Sequence, residues 1–73
     1  MKREFIPWKN VPVGAWYRGQ SHLDPIEKKI SDTHGQGDGY RINYAVYPHW
    51  LLLPCEIVDP PSWAHEVEGH DPH

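Results

Sequence analysis

The sequence predicts a mainly β fold: a small curved antiparallel sheet or partly open barrel of three to five strands, with a disordered C-terminal tail. Two observations carry this expectation. Residues 40–47 alternate cleanly, with Tyr40, Ile42, Tyr44 and Val46 on one side and Arg41, Asn43, Ala45 and Tyr47 on the other. A second apolar stretch, Trp50-Leu51-Leu52-Leu53 followed by Cys55-Glu56-Ile57-Val58, is bent or bulged at Pro54, which cannot donate to a ladder.

The remaining elements follow in order. Phe5-Ile6-Pro7-Trp8 is a short apolar segment that Pro7 confines to a sheet edge or strand end, and Lys9-Asn10 breaks it. Val11-Pro12-Val13-Gly14 reads as a tight turn or a single helical turn, with Gly14 free to take positive φ. Ala15-Trp16-Tyr17-Arg18 is rich in β-formers. Gly19 to Pro25 is polar and turn-like. Ile26-Glu27-Lys28-Lys29-Ile30 then reads as a short strand whose two isoleucines share one face. His34-Gly35-Gln36-Gly37-Asp38-Gly39, with three glycines in six residues, reads as a flexible loop, and Pro48-His49 as a turn. Asp59-Pro60-Pro61 closes the domain. Residues 1–59 are thus expected to form one β-rich binding domain, and residues 60–73 a flexible, acidic tail that carries histidines.

A chain of 73 residues has room for one domain and buries only about 60 % of the surface its unfolded form exposes. Its core must be thin, and nine aromatic rings have to supply much of it. The single cysteine, Cys55, permits no internal disulfide. The first residues lack the apolar stretch of a signal peptide, and the longest apolar run is far too short to cross a bilayer, so a reducing cytoplasmic setting is expected, with no membrane partner. Net charge is −3. All seven Lys and Arg lie at or before Arg41, with five of the ten acids; the other five acids lie beyond it with no Lys or Arg. Such a split can orient the chain electrostatically on a partner, or simply solvate the tail.

No catalytic or cofactor site can be assembled. His65-Glu66-Val67-Glu68-Gly69-His70 has the composition of a zinc protease helix, but its histidines stand five apart, about 140° around a helix, where four is required. Cys55 with His65, His70 or His73 is a poor structural zinc set, since one thiolate and no Cys-x-x-Cys knuckle are present. No metal or other cofactor is therefore expected. Cys55 in an apolar strand is expected to be an inert packing residue. The Gly35–Gly39 segment lacks the lysine and following helix of a phosphate cradle.

Binding is what remains. Nine rings cannot all be buried in so small a domain, and exposed Trp and Tyr are enriched at protein-binding hot spots. Phe5, Ile6 and Trp8 on the expected edge, and Tyr47 and Trp50 around the Pro48-His49 turn, are the candidate partner-binding residues. Phe5, Trp16 and Tyr44 are better suited to the core, and Trp8, Tyr47 and Trp50 suit the core and a binding face equally. The aromatic and basic residues at Trp16-Tyr17-Arg18 and Tyr40-Arg41 allow a second reading, a small domain that binds single-stranded nucleic acid, against which the overall acidity counts.

Val11-Pro12-Val13-Gly14-Ala15-Trp16-Tyr17-Arg18, then Lys28-Lys29-Ile30-Ser31-Asp32-Thr33, then Cys55-Glu56-Ile57-Val58 resembles the layout of many small phage-encoded proteins, over roughly residues 5–58. In these a Pro-Val-Gly turn leads into a strand, a lysine-led strand follows, and a valine-rich strand closes the domain. Among them the chain looks most like the RNA polymerase-binding antitermination factors of lytic Xanthomonas phages. The resemblance implies a monomeric, non-enzymatic transcription regulator in the host bacterial cytoplasm. It would dock on the largest subunit of RNA polymerase, helped by a Nus factor, inhibiting initiation and suppressing termination, with nucleic acid met only indirectly. It carries over no individual binding residue.

Overall fold

A computed structural model describes residues 4–64. These residues form one antiparallel sheet of six short strands with two 3-10 helices: β1 (Ile6–Pro7), a first 3-10 helix (Trp8–Asn10), β2 (Trp16–Arg18), β3 (Glu27–Lys29), β4 (His34–Gly37), β5 (Tyr40–Asn43), a second 3-10 helix (Pro48–Leu52) and β6 (Pro54–Ile57). The strand order is β1-β6-β2-β3-β4-β5, and the sheet does not close into a barrel. The mainly β antiparallel class is as expected. The strand count is six rather than three to five, because the segment expected as a glycine-rich loop, His34–Gly37, also pairs.

β2 to β5 form a meander. β3 and β4 are joined by a turn in which Ser31 Oγ accepts from the N–H groups of Thr33 and His34. β4 and β5 are joined by Asp38-Gly39, where Gly39 takes φ 88°. Gly14, at φ 99°, supplies the positive φ expected at the turn before β2. β6 then returns to the far side of β2. Its second half pairs there (Tyr17 with Ile57, Arg18 with Glu56), while its first half pairs with β1 (Ile6 with Cys55, Pro7 with Pro54). Pro7 and Pro54 both stand in the β1–β6 pairing, and Pro54 begins its strand, where a missing N–H is least costly.

Three expectations are corrected. The strand at Tyr40 ends at Asn43, because Tyr44 N–H turns back to Thr33 O at 2.7 Å and Ala45 N–H to Asn43 Oδ1 at 2.9 Å. Tyr44 stays buried but Val46 is exposed. Trp50 to Leu52 belongs to the second 3-10 helix and not to the last strand, since Pro48 at its first position presets a helical φ. The glycine-rich segment is not a loop up to Gly37 but a strand, and Gly35 and Gly37 are both buried in it.

β3 inverts the expected facing. Ile26 and Ile30 are only half-buried, while the charged Glu27 and Lys29 are 3 % and 2 % exposed. The core on that face comprises Trp8, Val11, Tyr17, Tyr44 and Cys55, with Ile6, Ala15, Ile42, Trp50 and Leu51 packed around them. On the opposite face Trp16 and Lys28 are paired across strands, with the Lys28 ammonium 5.9 Å from the Trp16 ring. Trp63 covers Trp16 edge-on, centroids 5.4 Å apart, and Ala64 is buried beside this second layer in sequence. Of the expected tail, residues 60–64 are therefore described, and there Trp63 packs against the sheet. The rest of it, including His65, His70 and His73, lies outside the described residues.

Candidate functional site

The site begins with a hydrogen-bond problem. Glu27 on β3 faces the core, where an ionised carboxylate is costly unless its oxygens are satisfied. Three tyrosines satisfy them: Tyr17 and Tyr44 donate to Oε1 at 2.8 and 2.6 Å, and Tyr40 donates to Oε2 at 2.7 Å. Strand register makes this possible. Tyr17 lies directly across from Glu27, and Tyr40 reaches in over Gly37 from β5. The two strand glycines leave the space these rings occupy: a Cβ on Gly35 would collide with the Tyr17 hydroxyl, and one on Gly37 with the Tyr40 ring. Burial, reinforced by hydrogen bonds within the cluster, raises all three phenol pKa values well above their ordinary range.

Lys29, two residues along the same face, solves the matching problem for a cation. Its Nζ donates to the carbonyls of Trp8 and Lys9 at 3.0 and 3.1 Å and lies 4.2 Å from the Trp8 ring centroid. Burial lowers its pKa. It ties the first 3-10 helix to the sheet, and Trp8 in turn stacks on Tyr44 at 4.4 Å. Trp8 is wholly enclosed, so of the two places the sequence allowed it takes the core and is not a partner-binding residue at the edge. Ile6 likewise packs against the core from β1.

Outside this core lies an apolar, aromatic surface. Tyr47 precedes the second 3-10 helix in extended conformation, and its carbonyl accepts from Trp50 N–H at 2.9 Å. The ring of Tyr47 meets Trp50 at 4.8 Å and His49 at 5.9 Å, while Trp50 rests on buried Tyr44 at 6.2 Å. Trp50 is thus half-buried, braced from behind and open in front. Val46, Tyr47, Leu52 and Leu53 are all exposed, Leu52 to 59 %. Phe5 is exposed near β1. Of the five residues expected to bind a partner, the structure joins Tyr47 and Trp50 in one cluster, leaves Phe5 at the surface, and places Ile6 and Trp8 inward. Sequence reasoning missed Val46, Leu52 and Leu53. A 3-10 helix has three residues per turn, so the consecutive apolar residues Trp50, Leu51 and Leu52 cannot share one buried face.

Beside this surface, an open cleft of about 480 Å³ runs between the β2–β3 connection and the start of β6. Glu27, Tyr17 and Tyr44 line it together with Asp24, Ile42, Leu53 and Cys55. The Cys55 thiol is pushed up to about 11 by burial and donates weakly to Leu53 O, so it remains a protonated thiol at neutral pH. Among the described residues no cluster of His, Cys, Asp and Glu is placed to hold a metal ion, and no helix is long and apolar enough to cross a membrane.

Comparison of the chain with family models, curated proteins and solved structures finds no match.

Proposed function

We propose that this chain is a phage-type transcription regulator that binds bacterial RNA polymerase without enzymatic activity, inhibiting initiation and suppressing termination. The observation that carries the binding reading is the exposed segment of residues 46–53, where Tyr47 and Trp50 form a ring cluster and Val46, Leu52 and Leu53 are exposed as well. Apolar side chains concentrated on one short, internally bonded segment favour a protein partner. The absence of Lys and Arg from residues 42–73 disfavours a nucleic-acid backbone as the primary target. The likeness in layout to phage antitermination factors supplies the partner: the largest polymerase subunit, assisted by a Nus factor, in the cytoplasm of the host, with the chain acting as a monomer.

The test is binding to immobilised bacterial RNA polymerase holoenzyme, with promoter-initiation and terminator read-through assays alongside. Trp50→Ala and Tyr47→Ala should each weaken binding at least about tenfold, as expected of hot-spot truncations. Because Trp50 touches Tyr44, a thermal melt of each variant must show a folded chain; Tyr47→Ala removes a half-exposed ring that packs on Trp50 and His49 and serves as the cleaner probe. No binding by the wild type would end the polymerase reading. Submicromolar, steeply salt-dependent binding to single-stranded oligonucleotides would put the nucleic-acid reading in its place.

A further inference from the structure

The cleft between the β2–β3 connection and β6 has a chemistry of its own. Among the described residues its charged lining is Asp24 and Glu27, both acidic, and no Lys, Arg or His lines it. Glu27 is at its buried end and Asp24 at its exposed rim. A carboxylate offers about four acceptor positions, and the tyrosines fill three on Glu27. All three donors are neutral, so the buried charge has hydrogen bonds but no counter-charge among them. Lys28, the next residue, lies on the other face beside Trp16, and Lys29 is committed to two backbone carbonyls.

The rim is held in place. Ser21 N–H donates to Asp24 Oδ2 at 3.2 Å, and Asp24 N–H returns to Ser21 O at 3.0 Å. A side chain at Gly19 would strike the Asp24 carboxylate, so the glycine keeps this rim position open. Between the two acids the walls are tyrosine rings and the apolar surfaces of Ile42, Leu53 and Pro54.

We propose that this cleft receives an arginine side chain of a partner protein, its guanidinium between Asp24 and Glu27 and its alkyl stem on Ile42, Leu53 and Pro54. Charge complementarity selects a cation, and the apolar walls suit a long methylene stem. The aromatic walls favour guanidinium over ammonium, because it is more weakly hydrated and stacks on rings. Leu53 lies both in the cleft lining and in the exposed segment of residues 46–53, so one partner can engage the two at once. Only the identity of the occupant rests on the protein-binding reading above.

The experiment uses the full chain and two probes, N-acetyl-arginine amide and its neutral isostere N-acetyl-citrulline amide, followed by amide NMR. The arginine probe should shift Gly19, Ser21, Tyr44 and Cys55 saturably, and citrulline should not. Asp24→Asn, which keeps an acceptor for Ser21 N–H, should weaken the arginine probe by about two- to fivefold, the scale of one exposed ion pair. Equal shifts from citrulline, no saturable shifts, or unchanged binding in Asp24→Asn would overturn the proposal. In a polymerase-binding arm, reduced binding by Asp24→Asn supports an arginine from that partner, whereas unchanged binding overturns it. Arginine binding by a wild type that ignores polymerase would sink the polymerase reading and still support the cleft's ligand chemistry.

Discussion

The phenol of Tyr17 occupies the space that a side chain on Gly35 would take. The hydroxyl lies where the Cβ would be, and Tyr44 Cε2 and Glu27 Oε1 stand 3.1 and 3.2 Å from the same point. The glycine is there because β2 sends a long polar ring across β3 to reach a carboxylate, and the ring must end somewhere on β4. Gly35→Ala should therefore cost about 1–3 kcal/mol, the usual scale of overpacking, and urea denaturation reads it. Ala at exposed Gly39 tests a different cause, a φ of 88° with open space around it, and should cost about 1 kcal/mol. A Gly35→Ala variant as stable as the wild type would mean the three rings do not pack as described.

Glu27 collects hydrogen bonds from three tyrosine hydroxyls. Glu27→Gln keeps the shape but removes the charge that strengthens those bonds, and turns a donor toward one tyrosine. A loss of about 2 kcal/mol is expected. Tyr44→Phe should cost about 1–2 kcal/mol in the wild type and much less in the Glu27→Gln background, because the two substitutions remove the same bond. Strict additivity in that double-mutant cycle would contradict the shared-acceptor geometry.

Alkaline pH should unfold the domain. Tyr17, Tyr40, Tyr44 and Cys55 all have folded pKa values raised by burial, so the unfolded chain releases protons first as pH rises. Their stabilisation is fully present below the unfolded values, near 9 for the thiol and 10 for the phenols, and is lost progressively above them. Lys29 acts in the opposite sense: its lowered folded pKa makes stability rise with pH up to its unfolded value of 10.5. Four groups against one decide the sign. Chemical denaturation from pH 7 to 11 should show a plateau to about pH 9 and a steep decline beyond; rising stability above pH 10 would contradict it.

Trp63 covers Trp16 on the face opposite the core. Trp63→Ala should lower stability by about 1–2 kcal/mol, less than a fully enclosed tryptophan because Trp63 is itself only half-buried. Ending the chain at Asp59 should cost at least as much, together with a red shift of tryptophan emission as Trp16 becomes wet. A truncated chain with an unchanged melting temperature would show that residues 60–64 contribute nothing to the fold.

Much of this was legible in the sequence. The alternation at Tyr40-Arg41-Ile42-Asn43, the β-formers of Trp16-Tyr17-Arg18 and the turn glycine Gly14 all lie where pattern and propensity put them. What could not be read was the consequence of tyrosine. Periodicity sorts residues by apolarity, so it turned Ile26 and Ile30 inward and Glu27 outward, whereas three distant hydroxyls and two backbone carbonyls reverse that preference for Glu27 and Lys29. The same rings turn the Gly35-Gln36-Gly37 stretch from a loop signal into a strand. Of the exposed segment 46–53, Tyr47 and Trp50 were singled out from residue type alone, and the structure joins their rings in one cluster. Trp8 could not be settled because nothing local distinguishes an edge tryptophan from one stacked on Tyr44 thirty-six residues away.

The position of β6 bears on how the sheet comes together. β2 to β5 join neighbour to neighbour through short connections, and such hairpins close quickly. β6 must instead meet Tyr17 from forty residues downstream, and among the described residues β1 pairs with β6 alone. During synthesis the first tryptophan of the core, Trp8, therefore waits without its neighbouring strand until Cys55 has left the ribosome. The strand at Ile6 thus joins the sheet only through a segment forty-nine residues beyond it.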